Sequence, residues 1–168
     1  MIADLHQNRG NKMPLSTTGI CHHIVSSLKT YRQHNLGTCN DCKVVLNHLI
    51  RKLSEPLERN GRQKIFYSED AQNSSDVVKE HLVPVNVIMK ELLSIDLSLN
   101  NLTEHIENYL ERSLTIVIIT RKEDELLNKS GLQRSMPECY FDNQSDLYLD
   151  RWARYKCTGI YDKIIKNK

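Results

Sequence analysis

Apolar residues recur every three or four positions along much of the chain, and this spacing predicts amphipathic helices. The first pattern begins at Ile20, with Ser16, Thr17 and Thr18 ahead of it as candidate caps, and the second covers residues 41–57. The stretches "VPVNVIMKELLSI" and "LTEHIENYLERS" indicate two more helices. The first of these begins around Pro84, where proline is tolerated because a first-turn N–H has no helical partner.

One stretch has a continuous apolar run in place of the helical spacing. Residues 114–120 form an unbroken run of β-branched and apolar side chains, which predicts a central strand buried on both faces. Thr120, with Glu123 three positions later, then forms a capping box for a short acidic helix that Gly131 ends. A shorter β-prone run at residues 65–67 predicts a second strand.

These elements predict a mainly helical α+β fold with a small sheet. We divide the chain into a flexible N-terminus, residues 1–16, and one domain, residues 17–168. The domain has a helical part at residues 17–60, a core of strands and helices at residues 63–135, and a basic C-terminal helix at residues 147–166. A chain of 168 residues is of the usual size for one domain with its own apolar core.

Composition narrows the class of protein. Hydrophobic residues make up 39% of the chain and charged residues 26%, which is typical of a soluble globular protein, and no apolar run reaches the length that crosses a bilayer. The N-terminal residues lack the apolar stretch of a secretory signal, so we expect a cytoplasmic protein with reduced thiols. The odd number of cysteines, five, argues against a disulfide framework.

The formal net charge of +2 is too small to indicate a nucleic-acid partner by itself, so the local clustering of Lys and Arg residues is more informative. Near the C-terminus, aromatic and basic residues alternate: Arg151, Trp152, Arg154, Tyr155, Lys156, Tyr161 and Lys163. This pattern fits a surface that binds a phosphate backbone. It equally fits an amphipathic helix whose basic face is solvated and whose aromatic side chains pack inward.

The stretch "EHLVP" carries the main candidate for chemistry. It sets His81 directly after Glu80 and three positions before Pro84, and the predicted strand and acidic helix "IVIITRKEDELLN" follow later in the chain. This order resembles that of the HNH, or His-Me finger, nucleases, in which two strands and a helix hold a divalent metal. The resemblance implies that residues 63–135 form a ββα-metal-like element that carries inserted helices.

The resemblance implies a role for each matching residue. His81 would be the general base, because its ordinary pKa lies near neutrality. Glu80 and Asp124 would offer the oxygen ligands that Mg²⁺ or Mn²⁺ prefers, and Asn128 would orient His81 or the phosphate. Basic side chains near the cleft, Arg121 and Arg134, would hold the nucleic-acid backbone.

The implied function is a metal-dependent endonuclease that hydrolyses DNA, with RNA not excluded, in phage defence, restriction or the handling of a phage genome. The alternative is a non-enzymatic regulator that binds nucleic acid or protein, in which His81 is a structural residue. The sequence leaves the oligomeric state open, a homodimer included. It contains no Gly-rich phosphate loop, Walker pattern or GxSxG motif, so nucleotide hydrolysis and serine esterase chemistry have no support.

A second candidate is "CNDC", in which Cys39 and Cys42 are spaced so that both could bind one Zn²⁺. Two more ligands would be needed, and the available ones are Cys21, His22, His23, Cys139 and Cys157. The other interpretation is a helix start capped by Asn40 or Asp41. A compact alternative to the nuclease site would use His81, Asn101 and His105.

Overall fold

The computed structural model of the protein describes residues 16–60 and 65–165, and the side chains of these residues apart from 55–60. The flexible N-terminus predicted for residues 1–16 lies outside the described residues, except for Ser16. The helices are α1 (Thr17–Arg32), α2 (Cys39–Asn60), α3 (Glu69–Gln72), α4 (Val85–Ser94), α5 (Leu102–Ser113), α6 (Arg121–Lys129) and α7 (Ala153–Cys157). The strands are β1 (Ile65–Ser68), β2 (Val77–His81), β3 (Ile116–Thr120) and β4 (Ile164–Ile165). The fold is therefore mainly helical α+β, as predicted.

Four helices form one layer, in which α1 packs on α2 and α5, and α4 packs on the same two helices. Their apolar stripes meet in a single cluster that includes Ile24, Leu46, Ile88 and Ile106, all inaccessible to solvent. Ser16 accepts a hydrogen bond from the backbone of Gly19 and caps α1, as expected. Over the described residues, none of the helices combines the length and the apolar character needed to span a membrane.

The sheet is mixed, with strand order β2-β3-β1-β4. The central strand β3 runs parallel to β1 and antiparallel to β2. Val117 and Ile119 pack with α6 and with C-terminal residues between 155 and 164. Ile116 and Ile118 pack with Ala71 of α3 on the other face. The prediction of a central strand buried on both faces is confirmed.

Strand β2, strand β3 and helix α6 form a strand–strand–helix unit, with α4 and α5 inserted between the strands. Helix α6 packs against both strands. The pairing sets Val77 opposite Thr120 and His81 opposite Ile116, so His81 lies at the end of the unit that is remote from the start of α6.

The predicted C-terminal helix at residues 147–166 is wrong. Over the described residues 147–165, only α7 is α-helical, and it is followed by a 3-10 turn at Tyr161–Lys163 and by β4. Before α7, side chains bind nearby backbone N–H groups and compete with a helix: Asp142 accepts from Gln144, Ser145 from Leu147 and Asp150 from Trp152. After α7, Gly159 has a φ of 72°, which ends the helix.

Thr120 and Glu123 connect the central strand to α6 through a complete capping box. The Thr120 Oγ1 atom accepts a hydrogen bond from the Glu123 N–H at 3.3 Å, and the Glu123 carboxylate accepts from the Thr120 N–H at 2.8 Å. Ser68 of β1 donates to the same carboxylate at 2.7 Å. The cap therefore joins α6 to two neighbouring strands.

We expect Thr120→Ala to lower the free energy of unfolding by about 1 kcal/mol, because the Glu123 N–H loses its side-chain acceptor. Thr120→Ser keeps the hydroxyl and is the matched control. Urea denaturation followed by circular dichroism measures both variants. Equal losses in the two variants would show that the methyl group of Thr120, and not the cap, carries the stabilisation.

Candidate nucleic-acid site around His81

Strand β2 is an edge strand, and its successive side chains point to opposite faces of the sheet. His81 faces helix α2, where its Nε2 atom lies 2.9 Å from Ser54 Oγ. Glu80 faces the other side, where its carboxylate accepts a hydrogen bond from Arg154 at 3.2 Å. The adjacent Glu and His of the sequence motif therefore have separate surroundings.

Ser54 is the buried partner of the His81 ring. Its hydroxyl also lies 3.2 Å from the carbonyl oxygen of Ile50, one helical turn earlier, to which it donates. A serine hydroxyl has only one proton. Which of the two atoms donates in the Ser54–His81 hydrogen bond depends on the tautomer of the imidazole. The ring of His81 is thus oriented by a neutral side chain of α2.

A cleft of about 600 Å³ opens beside His81, between α2, β2, the start of α4 and the segment after α6. Its described lining residues are Lys43, Val44, Asn47, Arg51, Lys79, Glu80, His81, Pro84, Val85, Asn86, Met89, Gln133 and Arg134, and we call it the His81 cleft. Four of these side chains are cationic, and among these described residues only Glu80 is acidic. Since Glu80 is paired with Arg154, the lining has a clear positive excess.

The guanidinium of Arg154 lies beneath the end of β2 and is inaccessible to solvent. Besides Glu80 and the Tyr155 hydroxyl, its acceptors are carbonyl oxygens of two segments of the chain. These carbonyls belong to Leu82 and His81 at the end of β2, and to Leu132 and Gln133 after α6. One side chain thus fixes α7, the end of β2 and the segment after α6 relative to one another.

The position of Arg154 corrects the interpretation of the basic C-terminal residues. A side chain with 0% exposure cannot reach a nucleic-acid backbone, so its prediction as a contact residue is wrong. Arg151 is half-buried and donates to the carbonyl oxygen of Arg112. Lys156 is exposed and pairs with Asp150 at 2.6 Å. The aromatic residues pack together instead, with Trp152 in edge contact with three other rings.

Glu80 and Asp124 lie close enough for their charges to interact. Burial raises the pKa of Glu80, the Arg154 guanidinium beside it opposes this change, and the charge of Asp124 adds to the increase. Asp124 is half-buried on α6, and its Oδ1 atom is buried without a hydrogen-bond partner. An unsatisfied carboxylate oxygen beside a second carboxylate fits a Mg²⁺ ion, which takes one or two carboxylates together with water and phosphate oxygens.

A larger ligand set is not assembled in the described part of the chain. Across residues 16–60 and 65–165, no group of three or more His, Cys, Asp and Glu side chains is placed to hold a metal ion. A metal at Glu80 and Asp124 would therefore depend on the substrate for further ligands. The magnesium or manganese site stays a prediction.

Of the remaining residues predicted for a nuclease site, one lines the His81 cleft and three lie outside its lining. Arg134 is exposed and lines the His81 cleft, as expected. Arg121 lies at the opposite end of the β2–β3 pair, where it forms an exposed ion pair with Asp76 at 3.0 Å. Asn128 is exposed near the end of α6 and does not line the cleft. His105 is likewise exposed, on α5.

Cys39 and Cys42 lie in the first turn of α2, which confirms the helix-start interpretation. The residue that caps the helix from outside is Thr38, so the prediction of Asn40 or Asp41 as the cap is wrong. The capping hydrogen bonds come from Thr38 and Asp41, which exchange bonds of 2.8 and 3.2 Å between backbone N–H groups and side-chain oxygens. Cys42 is buried, and burial raises the pKa of its thiol. Because no third ligand joins the pair among the described residues, zinc binding stays a prediction.

Sequence reasoning missed the contribution of α2 to the site. Lys43, Asn47 and Arg51 recur every four positions and line one wall of the His81 cleft, and Ser54 follows one turn later. This polar stripe at helical spacing was visible in the sequence. Only the packing of α2 against β2 shows which partner the stripe faces.

Arg154→Met should lower the free energy of unfolding by about 3–5 kcal/mol, since it leaves Glu80 and several buried carbonyls without their donor. Lysine offers a point charge in place of the planar fork, so Arg154→Lys should recover only part of the loss. The matched control, Arg134→Met, removes an exposed arginine and should change stability by at most about 0.5 kcal/mol. Chemical denaturation of the three variants compares them, and equal stability of the two methionine variants would contradict the role given to Arg154.

No family model matches the chain, and searches of curated proteins and of solved structures gave no match either.

Proposed function

We propose that this protein binds the phosphate backbone of a nucleic acid, DNA in the first instance, in the His81 cleft. The observation that carries the proposal is the convergence of cationic side chains from three elements on one concave surface. Lys43 and Arg51 come from α2, Lys79 comes from β2, and Arg134 comes from the segment after α6. A cleft with an excess of one charge attracts the opposite charge, and a phosphate backbone is the commonest extended polyanion.

The ion pair between Glu80 and Arg154 leaves the positive charge of the cleft without an acidic lining residue to neutralise it among those described. The one described acidic lining residue, Glu80, already has Arg154 as its partner. Its negative charge is therefore largely compensated from inside the protein. The polar side chains of Asn47, Asn86 and Gln133 add hydrogen-bonding groups to the same walls. Such groups suit phosphate and sugar contacts, which position a nucleic acid without reading its sequence.

Arg51→Gln and Arg134→Gln should each weaken DNA binding. Each should also reduce the slope of log affinity against log salt concentration by about one, because each removes one phosphate contact. Fluorescence anisotropy with duplex DNA, single-stranded DNA and RNA of equal length, in EDTA and at several salt concentrations, measures both effects.

The matched control is Arg121→Gln, which removes an exposed arginine at the far end of the β2–β3 pair. It should leave the affinity and the slope nearly unchanged. A loss as large as that of Arg51→Gln would mean that binding is not localised in the His81 cleft, and no binding by the wild-type protein would reject the proposal.

Hydrolysis of the bound backbone is a second candidate function, and it rests on the position of His81. The side chain stands in the cationic cleft at the end of β2, at the corner of the strand–strand–helix unit, with its ring oriented by Ser54. An imidazole in this place can accept the proton of a water molecule that attacks a phosphate held by Arg51 and Arg134. Glu80 and Asp124 are the residues that would hold Mg²⁺ or Mn²⁺, and of these two only Glu80 lines the His81 cleft. A metal bound there would neutralise charge on the phosphate and on the departing 3′-oxygen from the Glu80 side of the cleft.

If His81 is the base, His81→Ala should reduce DNA cleavage in Mg²⁺ or Mn²⁺ by about 100-fold or more. DNA affinity in EDTA should remain within a factor of a few, since the cationic side chains are unchanged. Cleavage of plasmid, single-stranded DNA and RNA is compared with His105→Ala, which removes an exposed histidine of α5. Equal cleavage by the two variants would exclude His81 as the base, and binding without any cleavage by the wild-type protein would leave the first function alone.

A further inference from the structure

Two cysteines that do not line the His81 cleft, Cys139 and Cys157, lie in contact with each other in the C-terminal part of the chain. Cys139 is the middle residue of the 3-10 turn Glu138–Tyr140, and Cys157 is the last residue of α7. Their Sγ atoms are 3.8 Å apart, although the residues are 18 positions apart in the chain. Cys157 is exposed and Cys139 is half-buried, so a small oxidant can reach the pair.

The local backbone allows the two sulfur atoms to approach further. A disulfide needs a sulfur–sulfur distance of about 2.05 Å, less than 2 Å closer than the present contact. Cys157 ends a helix of five residues and is followed by Thr158 and by Gly159, whose φ is 72°. Cys139 lies in a turn of three residues. Both cysteines thus lie in short elements, where a change of side-chain rotamer and a small shift of backbone can close the gap.

We propose that Cys139 and Cys157 are a paired oxidation site that forms a reversible intramolecular disulfide when the protein meets a peroxide. Cys157, the more accessible thiol, attacks one oxygen of the peroxide as the thiolate, so that the O–O bond breaks and a sulfenic acid forms. With hydrogen peroxide the other oxygen leaves as water. The Cys139 thiol then attacks the sulfenic sulfur, the S–S bond forms, and the hydroxyl group leaves as a second water. The two thiols are oxidised by two electrons and the peroxide is reduced by two.

The chemistry of the pair favours reaction with excess peroxide over trace oxidant. Partial desolvation of its sulfur atom, followed by the hydrogen bond and the charge of Cys139, raises the pKa of Cys157 although the residue as a whole is exposed. The nucleophilic thiolate is therefore a small fraction of Cys157 at neutral pH. Once a sulfenic acid forms, its partner thiol is already in contact, so condensation outpaces further oxidation of the same sulfur.

The crosslink would act on the segment that carries Arg154. It would join the turn at Cys139 to α7, three residues after the buried guanidinium, and enclose the turns at residues 142–150. The oxidised protein should therefore have a higher unfolding temperature than the reduced protein, since the unfolded chain is constrained by a closed loop.

The test uses the full chain, treated with hydrogen peroxide, then blocked with iodoacetamide and digested without reduction. Mass spectrometry should find the peptides of Cys139 and Cys157 joined, with the loss of two hydrogen atoms, and dithiothreitol should separate them. The crosslink should be absent from Cys139→Ser and Cys157→Ser, while Cys39→Ser, which removes a half-buried thiol elsewhere, should keep it. Thermal unfolding of the oxidised and reduced wild type and of Cys157→Ser gives an independent measurement.

Three results would overturn the proposal. One is irreversible oxidation of Cys157 to sulfinic or sulfonic acid with Cys139 still free. Another is a crosslink between two chains in place of one within a chain. The third is an unfolding temperature that rises on oxidation in Cys157→Ser as much as in the wild type.

Discussion

The guanidinium of Arg154 is the interaction on which the geometry of the site depends. It is a buried charge with acceptors at the end of β2, on the segment after α6 and on the neighbouring Tyr155. Burying an arginine is unfavourable unless its fork of donors is satisfied, and here the carbonyl oxygens at a strand end and a helix end provide that satisfaction. The same bonds hold Glu80 and the backbone of His81 in place. The exposed cleft on the other side of β2 is therefore built on a buried polar framework.

The edge strand β2 separates the surroundings of His81 from those of Glu80. Because side chains alternate along β2, His81 and Glu80 are directed to opposite faces, and Glu80 belongs both to the interior polar cluster and to the lining of the cleft. Lys79 and His81 belong to the side of α2, and Glu80 belongs to the side of α6 and α7. Lining one side with cations is compatible with folding because the carboxylate on the other side has its own buried partner.

Local signals in the sequence predicted much of this fold. The apolar run of β3 and the Thr120–Glu123 capping box are encoded within a few residues, and both were found where expected. The C-terminal region was misread because its aromatic and basic spacing satisfies a helix pattern, whereas turn-forming side chains and the pairing of β4 with β1 decide its structure. Burial of Arg154 was equally hidden, since its acceptors lie as far as 74 positions away in the chain. His81 could be selected from its motif, but Ser54 and the wall of α2 depend on tertiary packing.

The strand order also has a consequence for the sequence of folding events. Strand β1 pairs with β3 and with β4, and Lys163 meets Asp70 across 93 positions of the chain. Contacts of such long range form late, because a large loop must close before they contribute. During synthesis the helical layer can assemble as soon as α5 emerges, while the sheet lacks its fourth strand and Arg154 until residues 154–165 are made. In that interval the outer edge of β1 and the acceptors at the end of β2 have no partner, which makes the nascent chain open to association with other unfinished chains.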